Sequence, residues 1–185
     1  MVEASTLVPK KLGPSSALRI CSLSDPRLTE RIRVTNEYCL PAKYSDKFYD
    51  TYVRGGLGSY NQVAFYHDIL VGDMTCRLEL TDTENEYRLY IMTIAVLKPY
   101  RNMGIGSRLL EAVLDNARRE TQYRIVEVTL HMQVGSSARS FYEKFGFEVV
   151  KEVKDYYIDL DERDALLMRL IVPQPHFEGK KIQKS

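Results

Sequence analysis

Residues 87–121, YRLYIMTIAVLKPYRNMGIGSRLLEAVLDNARRET, restrict the fold more than any other stretch. An apolar strand runs into a basic turn punctuated by Gly104 and Gly106, and the turn opens straight into an amphipathic helix. The first N–H groups of a helix have no partner within it and point outward at the positive end of its dipole, where a phosphate can sit. Glycines without a Cβ let an anion approach the backbone, and Arg101 adds charge. The spacing Arg101-x-x-Gly104-x-Gly106 is weak alone, because glycine also serves bare turn geometry. Its weight comes from the strand before it and the helix after it. Gly56 and Gly58 lack that context and read as an ordinary loop. No Gly-Lys-Ser/Thr follows, so this is not a Walker loop, and the third glycine of a dinucleotide fingerprint is missing.

The rest of the chain supplies the elements around this unit. LRICSL (18–23) reads as a strand. Asp25 as cap and Pro26 in the first turn open a helix reaching Tyr38. The chain breaks at Pro41 and restarts at Ser45 or Asp46 as a short helix. Residues 62–79 form a hairpin turning at His67-Asp68. Tyr87–Val96 reads as a strand buried on both faces. The helix from Gly106 to Thr121 carries Leu109, Leu110, Val113, Leu114 and Ala117 on one stripe. In strand 124–131, Ile125, Glu127, Thr129 and His131 share a face. A helix from Ser136 to Phe145 stops at Gly146, and strands at 147–153 and 164–172 flank a loop. The crossover makes strands 87–96 and 124–131 parallel. The expected fold class is therefore α/β (α+β), a single domain over 18–172 with a mixed sheet of about seven strands and four helices. A flexible lead-in (1–17) and a flexible basic tail (173–185) are expected to flank it.

Composition excludes several classes. The net charge of +1 gives no case for bulk nucleic-acid binding. No apolar run has the length of a membrane span, and residues 1–16 lack a signal-peptide core. Cys21, Cys39 and Cys76 are odd in number and lack metal-like spacing, so reduced thiols in an intracellular protein are expected, with no metal.

Together with the Arg101–Gly106 loop, the run Ser140-Phe141-Tyr142-Glu143-Lys144-Phe145-Gly146-Phe147 after the next strand resembles the Gcn5-related N-acetyltransferases, over about residues 18–171. In that family the two parallel strands in the middle of the sheet splay apart and acetyl-coenzyme A fills the gap. The resemblance is closer to the NatE-type catalytic subunits, which acetylate protein N-termini, mostly those beginning with Met. LPAKYSDKFY (40–49), RLYIMT (88–93), LHMQ (130–133) and Tyr156-Tyr157 carry it. Two departures stand out: Leu40 where the branch has an aromatic, and Gly135 where it has Asn, in a segment one residue shorter.

The resemblance implies roles. Acetyl-coenzyme A as co-substrate falls to Ile94, Ala95, Val96, Arg101, Asn102, Met103, Gly104, Ile105, Gly106, Ser107, Ser136 and Tyr142. Acetyl transfer needs a neutral amine, and an α-amine has a pKa of about 7.7–8.0, so modest help suffices. Tyr90 and His131 are the candidate bases, through an ordered water, although each alone would pass as a core residue. Tyr142 is the candidate proton donor to the leaving thiolate. Leu40, Pro41, Ala42, Tyr44, Met92, Tyr156 and Tyr157 are expected to receive the acceptor: apolar walls for a Met side chain, hydroxyls for a peptide backbone. The implied setting is cytoplasmic, with the nucleus as a second compartment. Nascent protein N-termini are the substrate, with a large helical auxiliary subunit and a second acetyltransferase subunit at the ribosome as partners. The competing readings are a lysine or small-amine acetyltransferase of the same fold, and a catalytically weak subunit of an N-terminal acetyltransferase complex.

Overall fold

The computed structural model describes residues 17–56, 58 and 60–174. Its strands β1 (Leu18–Ser22), β2 (Gln62–Tyr66), β3 (Ile69–Leu80), β4 (Glu86–Val96), β5 (Arg124–Gln133), β6 (Glu148–Val153) and β7 (Ala165–Ile171) form one seven-stranded sheet. The order is β1-β2-β3-β4-β5-β7-β6. Four α-helices accompany it: α1 (Thr29–Cys39), α2 (Asp46–Phe48), α3 (Ile105–Arg119) and α4 (Arg139–Lys144). Only β4 and β5 are parallel, as the crossover through α3 requires.

Local chemistry moves several boundaries. The Asp25 carboxylate accepts the Arg27 N–H (2.9 Å), but what it opens is a 3-10 turn, Pro26–Leu28, and α1 follows. The Ser45 hydroxyl caps α2 through the Phe48 N–H, and the helix continues as a π-helical stretch, Tyr49–Arg54, which the sequence does not announce. α3 stops before the predicted Thr121 because the Glu120 carboxylate takes the N–H groups of Thr121 and Gln122 (2.8 and 2.7 Å) and the Tyr60 hydroxyl. Ser136–Ala138 is a turn, and α4 begins only at Arg139. Gly146 takes the left-handed φ of +87° that a helix C-terminus favours. The lead-in and tail lie outside the described residues except for Ala17, Pro173 and Gln174. Gln174 is not loose: it accepts the Ile125 N–H (2.9 Å) and donates to the Ala117 carbonyl (2.8 Å).

α3 buries Leu109, Leu110, Val113, Leu114 and Ala117 against the sheet, as its stripe predicts. α1, α2 and the π-helical stretch bury Ile32, Phe48, Tyr49 and Val53 against Val63, Phe65 and Leu70 on the opposite face. Each of the larger aliphatic and phenylalanine side chains among these contributes about 1.5–3 kcal/mol by leaving water.

β4 has no exposed residue and packs against both cores, as the sequence suggests, but its alternation is broken. Cys76 on β3 pairs with Ile91 and Thr75 with Thr93, so Met92 is an extra residue, a β-bulge. It reverses the alternation. Leu89 and Ile91 belong to the core under α3, whereas beyond the bulge Ile94 and Val96 pack against that core, and Met92 packs against the other one. A bulge bends and twists its strand. The parallel register with β5 runs from Glu86 opposite Arg124 to Ile91 opposite Leu130 and ends at the bulge, although both strands continue. The sheet therefore opens in its middle.

Candidate active site

The opening is a cleft of about 630 Å³. At one end stands the N-terminus of α3. Gly104 has φ +77° and open space where a Cβ would lie, and Asn102 is left-handed too (φ +60°). Among the described residues no side chain caps α3, which leaves the N–H groups of Ile105, Gly106 and Ser107 to an anion. The Arg101 guanidinium folds back and donates from Nε to the Val96 carbonyl (2.9 Å), which braces the loop against the end of β4.

β4 offers its backbone to the same space. The Leu97 N–H bonds the Val71 carbonyl of β3 (2.9 Å), so Leu97 faces β3. Alternation then turns the peptide groups of Ile94 and Val96 the other way, toward the gap. The Ile94 and Val96 N–H groups are thus placed to meet an oxyanion. Before the bend, the Met92 carbonyl accepts the Tyr44 hydroxyl (3.3 Å). Burial pushes the Tyr44 phenol up to about 12, so it stays a donor.

The far wall comes from β5 and from the segment between α1 and α2. His131 lines the cleft, and its Nδ1 lies 3.0 Å from the Tyr90 hydroxyl. That hydroxyl lies 2.9 Å from the Tyr156 hydroxyl, and the Tyr156 ring stacks on the His131 ring at 4.1 Å and 14°. Burial lowers the His131 pKa, with Glu79 opposing and Lys151 adding, which keeps the imidazole neutral at neutral pH. Burial and the bond to Tyr156 hold Tyr90 far above an ordinary phenol. Tyr90 is consequently a hydroxyl that passes or orients hydrogen bonds, and His131 is the group able to take a proton. Burial also holds the Tyr142 phenol protonated, on the cleft wall where it can donate.

All but three of the residues expected from sequence line this one cleft. Met103 packs against the core under α3, and Tyr90 and Tyr156 reach the cleft through His131. Cys39, Tyr100 and Phe141 also line it and were not anticipated. For Tyr100, the sole hint is its place directly before Arg101. Gly135, the departure in the turn after β5, has φ +75° with open space around it, and Ser136 beside it still faces the cleft. Among the described residues, no three His, Cys, Asp or Glu side chains are grouped to hold a metal ion. No helix among them is long and apolar enough to cross a membrane.

A sheet forked at a bulge, an uncapped helix N-terminus at one end of the fork and a half-buried His–Tyr pair at the other define a class, and the sequence comparison agrees. Residues 26–147 match the Acetyltransferase (GNAT) family, and the chain belongs to it. Within the family it is similar to N-alpha-acetyltransferase 50 of Danio rerio, with 34% identity over 151 residues covering 81% of this chain and 86% of the relative. It is similar also to the probable N-acetyltransferase san of Drosophila melanogaster, with 35% identity over 145 residues covering 78% and 76%. Among solved structures, Arabidopsis thaliana Naa50 in complex with the bisubstrate analogue CoA-Ac-MVNAL superposes with a TM-score of 0.73 at 35% identity, covering 83% of this chain and 98% of that one.

Proposed function

We propose that this chain transfers the acetyl group of acetyl-coenzyme A to the α-amine of protein N-termini, preferring Met followed by an apolar residue. The observation that carries the reading is the two-ended fork. One end presents free helix N–H groups suited to a pyrophosphate, and the other presents a neutral histidine beside the apolar wall of Leu40, Pro41, Ala42 and Met92. Phosphate oxygens suit the Gly104–Ser107 backbone, since the open Cβ position at Gly104 leaves room for them. That the Arabidopsis relative was solved with an analogue carrying Met-Val at its peptide start supports the acceptor preference.

Reaction proceeds by direct attack in a ternary complex. His131, directly or through a water, takes a proton from the ammonium. The amine nitrogen adds to the thioester carbonyl, and the oxyanion meets the Ile94 and Val96 N–H groups. The C–S bond breaks, Tyr142 protonates the departing thiolate, and the nitrogen gives up its second proton to solvent, which restores the Tyr142 hydroxyl. Tyr44 and Tyr157 border the acceptor backbone. Following the family resemblance, nascent chains in the cytoplasm are the physiological acceptors, reached with a helical auxiliary subunit and a second acetyltransferase at the ribosome.

The deciding experiment compares Met-Leu, Ala-Leu and N-blocked lysine peptides at equal concentration. Met-Leu should be acetylated fastest. Trimming Met to Ala removes a methylene, the thioether sulfur and a methyl, and should lower efficiency by at least about tenfold. A blocked lysine peptide reacting faster than Met-Leu would replace this reading with the lysine-directed one.

A further inference from the structure

Tyr156 is expected from sequence to hold the peptide backbone, yet it does not line the cleft. Its hydroxyl is bonded to Tyr90, its ring lies flat on His131, and 39% of its surface is exposed to solvent. We propose that Tyr156 is the outer member of a proton relay running from His131 through Tyr90 and Tyr156 to bulk water, which carries away the proton of the acceptor amine. The inference rests on the acetyl-transfer reading above.

The argument is one of direction. Neutral imidazole has a single lone pair. For Nε2 to accept a proton in the cleft, Nδ1 must carry one, so Nδ1–H donates to Tyr90 Oη at 3.0 Å. The Tyr90 hydroxyl then donates to Tyr156 Oη at 2.9 Å, and Tyr156 donates to water. Each member accepts on its inner side and gives on its outer side. When the amine N–H breaks and Nε2–H forms, Nδ1 passes its proton to Tyr90, Tyr90 passes its own to Tyr156, and Tyr156 passes its own to water. One proton has moved from amine to solvent, and both tyrosines end neutral.

The surroundings favour a concerted shift. Burial disfavours a phenolate at Tyr90, so no charge can rest there. The groups facing the relay are Arg77, whose guanidinium lies 4.9 Å from the centre of the Tyr90 ring, with Glu79, Lys151, Tyr157 and Tyr44. Arg77 favours negative charge in transit and Glu79 favours the imidazolium.

Tyr156→Phe keeps the stacked ring and removes the outlet. Single-turnover acetylation of a Met-Leu peptide should slow about tenfold or more, with peptide KM and acetyl-coenzyme A affinity changed by less than about twofold. Rates in mixtures of light and heavy water should give a bowed proton inventory for the natural chain and a straight one for the variant. A raised KM at unchanged turnover would make Tyr156 a peptide ligand and overturn the relay, as would no change at all. A second readout needs no turnover. Ring 15N NMR should find His131 mainly Nδ1-protonated in the natural chain and shifted toward the Nε2–H form in Tyr156→Phe; an unaltered tautomer ratio also overturns the proposal. A natural chain that acetylates no Met-first peptide would count against the proposed function alone, and the NMR comparison would still decide the relay.

Discussion

His131 sits between charges of opposite sign: Glu79 raises its pKa, and Lys151 and burial lower it. Both charges belong to strands on either side of it, Glu79 to β3 and Lys151 to β6. As a base, His131 must be unprotonated, so turnover should fall on the acid side of its pKa, below the ordinary histidine value of about 6.5. Glu79→Gln removes the charge that favours imidazolium and should move this acid limb to lower pH, while Lys151→Gln should move it to higher pH. The kcat–pH profiles of the two variants give the check, and shifts in the same direction would remove His131 from the titration. His131→Ala should cost about 10²–10⁴-fold in turnover. Adding Tyr90→Phe to it should cost far less than the product of the two losses if both residues serve the one proton path proposed above.

At the scale of the element, the junction of β4 with α3 separates stability from binding. A Cβ built on Gly106 would meet the Phe141 ring at 3.7 Å, an ordinary contact, and Gly106 is helical. Gly106→Ala should therefore leave the fold intact and, being in the first turn, add at most the roughly 0.8–1.0 kcal/mol of helix propensity it would bring in a helix interior. Its methyl would stand in the space offered to the pyrophosphate, so calorimetry should show acetyl-coenzyme A binding weakened by about tenfold or more, beside a melting temperature unchanged or raised. Undiminished affinity would place the anion elsewhere. This junction was legible in the sequence because a backbone requirement shows as a residue type, glycine, in a fixed context. The bulge at Met92 was not, because it is a property of register: nothing in Ile91-Met92-Thr93 marks which residue is left over until β3 lies alongside. For the same reason the insertion of β7 between β5 and β6 was hidden, since it depends on pairing and not on pattern. Tyr90, His131 and Tyr142 were recognisable by resemblance. The bond of Tyr90 to Tyr156, 66 positions away, needed coordinates.

For the whole molecule, one buried group works against stability. Asp73 is 1% exposed, neither carboxylate oxygen has a hydrogen-bond partner, and burial holds its pKa well above the usual range. In the unfolded chain it ionises near about 3.9. Between that value and its raised native one, the unfolded state binds fewer protons. Stability therefore falls as pH rises through this window, the reverse of a salt-bridged carboxylate. Asp73→Ala should stabilise the protein at pH 7–8, by about 1–3 kcal/mol for the relieved polar burial less whatever the small void costs. The gain should shrink toward pH 4. Thermal melts across that range test it, and a variant less stable at pH 8 would show that Asp73 is paired after all.

The fork in the sheet has a mechanical side. A plate slit part-way along does not flex evenly: bending concentrates at the root of the slit. Here the root is Ile91 beside Leu130, only 3% and 2% exposed, and five further paired positions behind it join the two half-sheets. The stiffness of the joint therefore resides in those few rows. A small rotation there would open or narrow the mouth between Val96 and Gln133 by leverage, with β1–β3 and β6–β7 each carried as a block. Methylenes trimmed from Leu130, which also lines the cleft, would soften that joint and loosen the grip on both substrates together.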